Sequence, residues 1–127
     1  MARIMVIDDQ ASVRAVIRML IEKEGHVVVE ASNGRLGVEA LTPAIDLVIT
    51  DILMPEMDGL EVVRHVKRLN RHLPVLVITG GWGEGGPDLV SLAERYGADG
   101  ALSKADIRST LIATVSRLLA AAGSRPA

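Results

Sequence analysis

Five short runs rich in Val and Ile alternate along the chain with amphipathic stretches, and this alternation restricts the fold more than any other feature. The runs are residues 3–7, 27–29, 47–49, 75–78 and, more weakly, 101–102. Apolar runs of this length predict strands that are buried on both faces, as in a parallel sheet. Five such strands with helices between them predict an α/β fold built on a doubly wound, five-stranded parallel sheet.

Apolar residues recur at helical spacing after each predicted strand. The five stripes are Val13, Val16, Ile17 and Leu20; Leu36, Ala40 and Leu41; Leu60, Val63 and Val66; Leu89, Leu92, Ala93 and Tyr96; Ile107, Leu111, Val115 and Leu118. Gly25 and Gly97 are placed to end the first and fourth helices. The 127 residues fit one domain, predicted over residues 3–119, with a flexible C-terminal tail at residues 120–127.

Composition excludes several classes of protein. With 14 basic and 16 acidic residues the net charge is −2, which lacks the basic surface that nucleic-acid binding requires. Apolar residues make up 49% of the chain, yet no run approaches the roughly 20 residues of a membrane span. The chain has no Cys and starts without a signal-peptide pattern, so a cytoplasmic location is expected.

Polar residues collect where the predicted strands end. Ligands of doubly wound sheets bind at the carboxyl ends of the strands, where Asp8, Asp9, Asp51, Thr79 and Lys104 are expected to meet. Two carboxylates about 4 Å apart repel by roughly 4 kcal/mol at an effective dielectric constant near 20. A divalent cation relieves this repulsion, and oxygen ligands favour Mg²⁺. The alternative is that Asp8 and Asp9 only cap the first helix.

Asp51 is the candidate nucleophile of this cluster. A carboxylate beside Mg²⁺ can attack phosphorus and form an aspartyl-phosphate, while Lys104 and the Thr79 hydroxyl neutralise the phosphoryl oxygens. Asp8, Asp9 and Asp51 are then the predicted metal ligands. The segment MPEMDG after Asp51 predicts a rigid turn, in which Pro55 and the pair Asp58-Gly59 fix the backbone and the Leu53 carbonyl becomes a further metal ligand.

These motifs resemble the response-regulator receiver domains of bacterial two-component signalling, which have a flavodoxin-like fold. The resemblance rests on DD at residues 8–9, D-x-x-M-P-x-M-D-G at residues 51–59, ITG at residues 78–80, GAD at residues 97–99 and Lys104. It implies that a sensor histidine kinase or a histidine phosphotransfer protein phosphorylates Asp51. It also implies an output surface for a downstream protein on the fourth helix, fifth strand and fifth helix.

Three features depart from the pattern of that family. The position three residues before the lysine usually holds an aromatic residue and here is Ala101, and the usual proline after the lysine is Ala105. A cis peptide bond before a non-proline residue costs about 3 kcal/mol, so a trans bond is expected between Lys104 and Ala105. The loop at residues 80–88 is longer and richer in glycine than is usual in the family, and it is predicted to be mobile. Trp82 in this loop is interpreted either as a partner contact or lid residue or as a residue that simply packs.

The predicted function is a stand-alone phosphorylation switch whose output is a protein contact, because no effector domain follows the last helix. The chain is expected to take part in its own Mg²⁺-dependent phosphorylation and dephosphorylation without being an enzyme in the usual sense. A docking module that no longer switches is an alternative that Ala101 and Ala105 favour. An aspartyl-phosphate phosphohydrolase ranks lower, because Leu53 stands where such enzymes place a general acid.

Overall fold

The computed structural model describes residues 1–54, 56–80 and 86–123, with side chains of residues 86–89 left out. Strands and helices alternate in chain order. They are β1 Arg3–Ile7, α1 Ala11–Lys23, β2 Val27–Ala31, α2 Gly34–Glu39, β3 Leu47–Asp51, α3 Gly59–Leu69, β4 Val75–Thr79, α4 Gly86–Arg95, β5 Gly100–Ser103 and α5 Ile107–Gly123. A 3₁₀ turn at Lys104–Asp106 joins β5 to α5. The predicted alternation of five strands and five helices is therefore confirmed.

All five strands are parallel and lie in the order β2-β1-β3-β4-β5. The chain runs outward from β1 to β2 and then crosses back to β3 on the other side, so the order reverses between β1 and β3. The crevice at the carboxyl ends of β1 and β3, where the order reverses, is the expected ligand position of a doubly wound sheet. Register places Ile7 beside Thr50 and Asp51 beside Ile78, so the ends of β1, β3 and β4 lie at one edge.

Alternate residues of each strand contribute to two separate hydrophobic cores, because successive side chains point to opposite faces of a sheet. On one face, Ile4, Ile49 and Ile78 pack with the apolar stripes of α1 and α5. On the other face, Met5 and Val77 pack with α2, α3 and α4. Both faces of the sheet are therefore covered by helices, which confirms the predicted doubly wound fold.

The prediction that every strand is buried on both faces is wrong for β5, where only Leu102 is buried, and for β2. Its residues 27–29 are half-buried and Glu30 is exposed, whereas every residue of β3 and β4 is buried. The physical reason is position, since β2 and β5 are edge strands with one neighbour each. Four strands, β2 to β5, also run further than predicted, and β3 and β4 include Asp51 and Thr79 as their last residues.

Helix ends follow the predicted glycines. Gly25 and Gly97 have φ angles of 87° and 112°, a left-handed region that glycine enters without steric cost. Helix α5 continues through Gly123, so residues 120–123 are helical, and the predicted flexibility of residues 124–127 concerns positions outside the described residues. None of the described helices combines the length and hydrophobicity needed to cross a membrane.

The predicted mobile loop and its Trp82 fall on residues that the structure leaves undescribed. Helix α4 begins at Gly86, so the segment between β4 and α4 is shorter than the predicted range of residues 80–88. Residues 81–85, which include Trp82, and Pro55 of the predicted turn lie outside the described residues. The proposed movement of Trp82 stays a prediction.

Lys67 links three segments at the amino ends of the strands, opposite the acidic cluster at their carboxyl ends. Its Nζ donates to Asp99 Oδ2 at 2.7 Å and to the carbonyl oxygens of Leu73 at 2.8 Å and Arg71 at 3.2 Å. The same Asp99 oxygen accepts from the backbone N–H of Val75 at 2.8 Å. This half-buried ammonium therefore joins α3, the segment before β4 and the segment before β5.

We expect Lys67→Met to lower the free energy of unfolding by about 2 kcal/mol, because it leaves a half-buried carboxylate and two carbonyls without their cation. Urea unfolding at pH 7 measures the change. Arg68→Met, an exposed cation-to-methionine change one residue further along α3, is the matched control and should alter stability by less than about 0.5 kcal/mol. Equal effects of the two changes would contradict this account of Lys67.

Candidate functional site

The predicted site residues converge at the carboxyl edge of the sheet. Asp8 follows β1 directly, Asp51 ends β3, Thr79 ends β4 and Lys104 follows β5. Thr79 is buried and lies one residue beyond Ile78, the partner of Asp51 in the register. The strand ends are held by the parallel ladders, so the backbone fixes where these side chains begin.

Asp8, Asp9 and Asp51 form one acidic cluster. Each offers a carboxylate oxygen, and these three oxygens lie within 4.8 Å of one another. Asp8 and Asp51 are only 1% and 4% exposed, whereas Asp9 is exposed. Two unit charges at such separations repel by about 4 kcal/mol at an effective dielectric constant near 20, so the cluster favours a bound cation or a proton.

Asp8 is held by its own backbone and by a neighbouring strand. Its backbone N–H donates to the Ala31 carbonyl at 3.2 Å, and Arg14 Nη1 donates to the Asp8 carbonyl at 2.6 Å. Its Oδ1 accepts from the Gln10 backbone N–H at 2.8 Å. Burial raises the pKa of the Asp8 carboxyl from 3.8 to about 6; the Gln10 N–H lowers it and the Asp51 charge raises it.

The environment of the second carboxylate oxygen of Asp8 shows whether a metal ion would suit the site. Among the described residues, Asp8 Oδ2 is buried and has no hydrogen-bond partner. A buried carboxylate oxygen without a partner is costly, and a hard cation coordinated by oxygens removes that cost. The cluster contains neither His nor Cys, which favours Mg²⁺ over zinc. The donor set therefore fits Mg²⁺.

Asp51 faces a cation on its other side. Lys104 Nζ lies 3.3 Å from Asp51 Oδ2 and donates to Gln10 Oε1 at 3.0 Å. Burial raises the pKa of the Asp51 carboxyl, and the charge of Lys104 opposes that effect. The arrangement is a desolvated carboxylate between a cation and two further acids, which suits attack on an electrophile that carries negative oxygens.

The turn behind Asp51 is packed backbone against backbone. The Gly59 N–H donates to the Ile52 carbonyl at 2.7 Å, and a Cβ on Gly59 would overlap the Asp51 carbonyl oxygen. A Cβ on Gly34 would likewise overlap the Met57 carbonyl oxygen. Asp58 caps α3 by accepting from the Glu61 N–H at 3.0 Å, as expected of a turn residue. Gly59 is needed for close approach as well as for the turn.

The structure decides between some of the alternatives and leaves others open. The N-cap of α1 is Gln10, so the alternative that Asp8 and Asp9 only cap this helix is wrong. Every peptide bond in the described ranges is trans, which confirms the expectation for Lys104 and Ala105. Leu53 lies in the turn with its side chain 49% exposed, and the role of its carbonyl in metal binding stays a prediction.

Sequence reasoning missed two residues that contact the site. Gln10 accepts from Lys104, and Arg14 donates to the Asp8 carbonyl. The available signal for Gln10 was a glutamine at a helix start, where Ser, Thr, Asp or Asn is preferred. Arg14 carried no comparable signal, because an arginine one turn into an amphipathic helix is common on a solvated face.

Comparison with known proteins assigns the family. Residues 4–116 match the response regulator receiver domain. A probable transcriptional regulatory protein of Picosynechococcus is 36% identical over 93% of this chain and 49% of its own length. Sporulation initiation phosphotransferase F of Bacillus subtilis is 30% identical over 76% of each chain. The response regulator TrrA of Thermotoga maritima, solved in complex with Mg²⁺-BeF, superposes with a TM-score of 0.78 at 29% identity, covering 93% of this chain and 99% of that one.

These relatives differ in length. The chain spans about half the length of the Picosynechococcus regulator. The match over residues 4–116 covers all five strands, and we conclude that this chain belongs to the response regulator receiver domain family.

Proposed function

We propose that the chain is a phosphorylation-dependent signalling switch that accepts a phosphoryl group on Asp51 from a histidine kinase or a histidine phosphotransfer protein. Receiver domains are phosphoacceptors and not enzymes in the usual sense. One observation carries the assignment to Asp51: its buried carboxylate lies 3.3 Å from the Lys104 ammonium and in one cluster with Asp8 and Asp9. No other acid of the described residues combines a strand end, a cation and an acid pair.

The proposed step is a single displacement at phosphorus. A carboxylate oxygen of Asp51 forms the new P–O bond, the P–N bond of the donor phosphohistidine breaks, and its electron pair leaves with the imidazole nitrogen. Lys104 balances charge on one phosphoryl oxygen, and the Thr79 hydroxyl donates to another. Thr79 ends β4 and Lys104 directly follows the neighbouring strand β5, so the sheet fixes the backbone positions of both residues before the donor arrives.

Asp8, Asp9, Asp51 and the Leu53 carbonyl are the residues proposed to hold Mg²⁺. Bound there, the ion supplies positive charge to the phosphoryl oxygens during transfer. The Mg²⁺-BeF complex of the related protein TrrA supports this proposal. The unpartnered Oδ2 of Asp8 supports it independently, on this chain alone.

The proposed output surface consists of α4, β5 and α5. Thr79 pairs with Ser103 at the end of β5, so a displacement of Thr79 on phosphorylation reaches this surface through one ladder. Ala101 lies in β5 and has no ring to fill space that Thr79 vacates. A downstream protein that contacts these elements is therefore proposed to detect a displacement of Thr79 through β5.

The direct test is to incubate the chain with Mg²⁺ and acetyl phosphate and to map any acyl-phosphate by mass spectrometry. The proposal expects one modified residue, Asp51, and no modification when EDTA replaces Mg²⁺. If the chain stays unmodified both with acetyl phosphate and with a phosphorylated histidine phosphotransfer protein, the result would favour the docking module instead.

We expect the phosphoryl group to be lost slowly, because the residue two positions after Asp51 is Leu53, which cannot hold an attacking water. Leu53→Asn should shorten the lifetime about fivefold, the rate equivalent of one net hydrogen bond of about 1 kcal/mol. The lifetime is measured by following the acyl-phosphate after the donor is removed. Leu69→Asn, at an exposed leucine outside the site, is the control and should leave the lifetime unchanged. No change for Leu53→Asn would remove this explanation.

A further inference from the structure

Gln10 occupies a position where a side chain usually caps a helix, but its side chain contacts Lys104 instead. It is the N-cap residue of α1, yet its side chain makes no capping hydrogen bond. Its Oε1 instead accepts from Lys104 Nζ at 3.0 Å, across 94 positions of sequence. We infer that Gln10 is a positioning residue for phosphoryl transfer, which holds the Lys104 ammonium against Asp51. This inference rests on the function proposed above.

The choice of side chain at this position supports the inference. The Gln10 backbone has φ −94° and ψ 111°, the extended conformation in which Ser, Thr, Asp or Asn caps a helix well. Glutamine is a poorer cap, but its longer side chain reaches the far side of the acidic cluster. The chain therefore has an uncapped α1 together with an acceptor for Lys104.

Lys104 needs such an acceptor because little else restrains it. It starts the 3₁₀ turn after β5, its side chain is 24% exposed, and its four-carbon stem has many rotamers. Ala105 follows through a trans peptide bond, without the fixed φ of a proline. The ammonium has three donors, of which Gln10 and Asp51 use two. The third remains for a phosphoryl oxygen.

A neutral acceptor suits this position better than a charged one. A carboxylate at residue 10 would be a fourth acid beside Asp8, Asp9 and Asp51, and it would compete with the phosphoryl group for the ammonium charge. The amide oxygen of Gln10 accepts a hydrogen bond and leaves that charge uncompensated. Lys104 thus stays oriented and keeps its full charge for the incoming group.

The test measures the initial rate of acyl-phosphate formation on Asp51 with Mg²⁺ and acetyl phosphate. Gln10→Met keeps the shape and removes the acceptor, and it should lower the rate about tenfold, as expected for loss of a hydrogen bond to a charged group. Gln10→Ser should lower the rate equally while raising the melting temperature, because serine caps α1. A residue with a purely structural role would not change the rate and the stability in opposite directions.

A double-mutant cycle identifies Lys104 as the group through which Gln10 acts. In a Lys104→Met background, whose slow labelling is followed over hours, Gln10→Met should change the rate by less than about twofold. If the wild type and Gln10→Met form acyl-phosphate at the same rate, the inference about Gln10 is overturned, but the proposed function is not. A tenfold loss that persists in the Lys104→Met background would overturn it too. A wild-type chain that forms no acyl-phosphate would overturn the proposed function, and the inference with it.

Discussion

Asp51→Asn is expected to abolish phosphoryl uptake, with a fall of about 10³-fold or more in the rate of acyl-phosphate formation. The amide has no nucleophilic oxygen of comparable strength, and the exposed Asp9 lacks the strand-end position that faces Lys104. Incubation with Mg²⁺ and acetyl phosphate, followed by peptide mass spectrometry, measures the loss. A variant that gains a stable phosphoryl group at the wild-type rate would show that the acceptor is another residue.

Loss of folding does not explain this expected result. Burial raises the pKa of the Asp51 carboxyl, so a neutral amide of the same shape is at least as well accommodated as the charged group. The melting temperature of Asp51→Asn should therefore equal or exceed that of the wild type without Mg²⁺. Asp58→Asn is the matched control, because asparagine still caps α3 and the substitution lies outside the acidic cluster. It should retain full uptake.

Asp8→Asn is expected to raise stability and to lose the response to metal. The folded-state pKa of Asp8 is about 6, above the usual 3.8. A raised pKa of an acid contributes stability that is present below pH 3.8 and is lost as the pH rises through 6. The difference in stability amounts to about 3 kcal/mol over the whole range, of which about 1.4 kcal/mol is lost between pH 5 and pH 7.5. Without metal, the wild type should be more stable at pH 5 than at pH 7.5, and Asp8→Asn should remove most of that pH dependence.

Urea unfolding at pH 5, 6 and 7.5 in EDTA measures the pH dependence of stability. Mg²⁺ titration at pH 7.5 measures the response to metal. Mg²⁺ should stabilise the wild type, since a ligand that binds the native state shifts unfolding by mass action. It should have little effect on Asp8→Asn, and Asp9→Ala should also lose affinity while staying folded. Asp106→Asn, an exposed acid outside the cluster, serves as the control. Unchanged Mg²⁺ affinity in both cluster variants would contradict the metal site.

The sheet and its acidic edge could be predicted because both follow from local pattern. Strands β3 and β4 are buried on every residue, so their apolar runs appear in the sequence without interruption. Once the strands are placed in parallel, their carboxyl ends must share an edge, which brings Asp8, Asp51 and Lys104 together. The prediction of burial on both faces was wrong for β2 and β5 because such burial depends on the strand order, and no local pattern reports which strands lie at an edge.

The contacts of Gln10 and Arg14 could not be predicted for a different reason. Each depends on where one long side chain points across a gap of several ångströms, and rotamers are set by the assembled surroundings. The role of Gly59 was only half predicted. Its place in a turn follows from the Asp-Gly pair, whereas its approach to the Asp51 carbonyl depends on how α3 packs against β3.

The close packing behind the acceptor gives the response a direction. Gly59 and Gly34 leave no room beside the Asp51 and Met57 carbonyls, so the α3 side of the site is incompressible on the scale of one methyl group. A bulky anion attached to Asp51 therefore has a rigid support on that side. Under the proposed function, we expect the displacement to pass across β4 towards β5, the edge strand on that side of the sheet. We therefore expect the close packing at these two glycines to direct the proposed response towards the β5 end of the sheet.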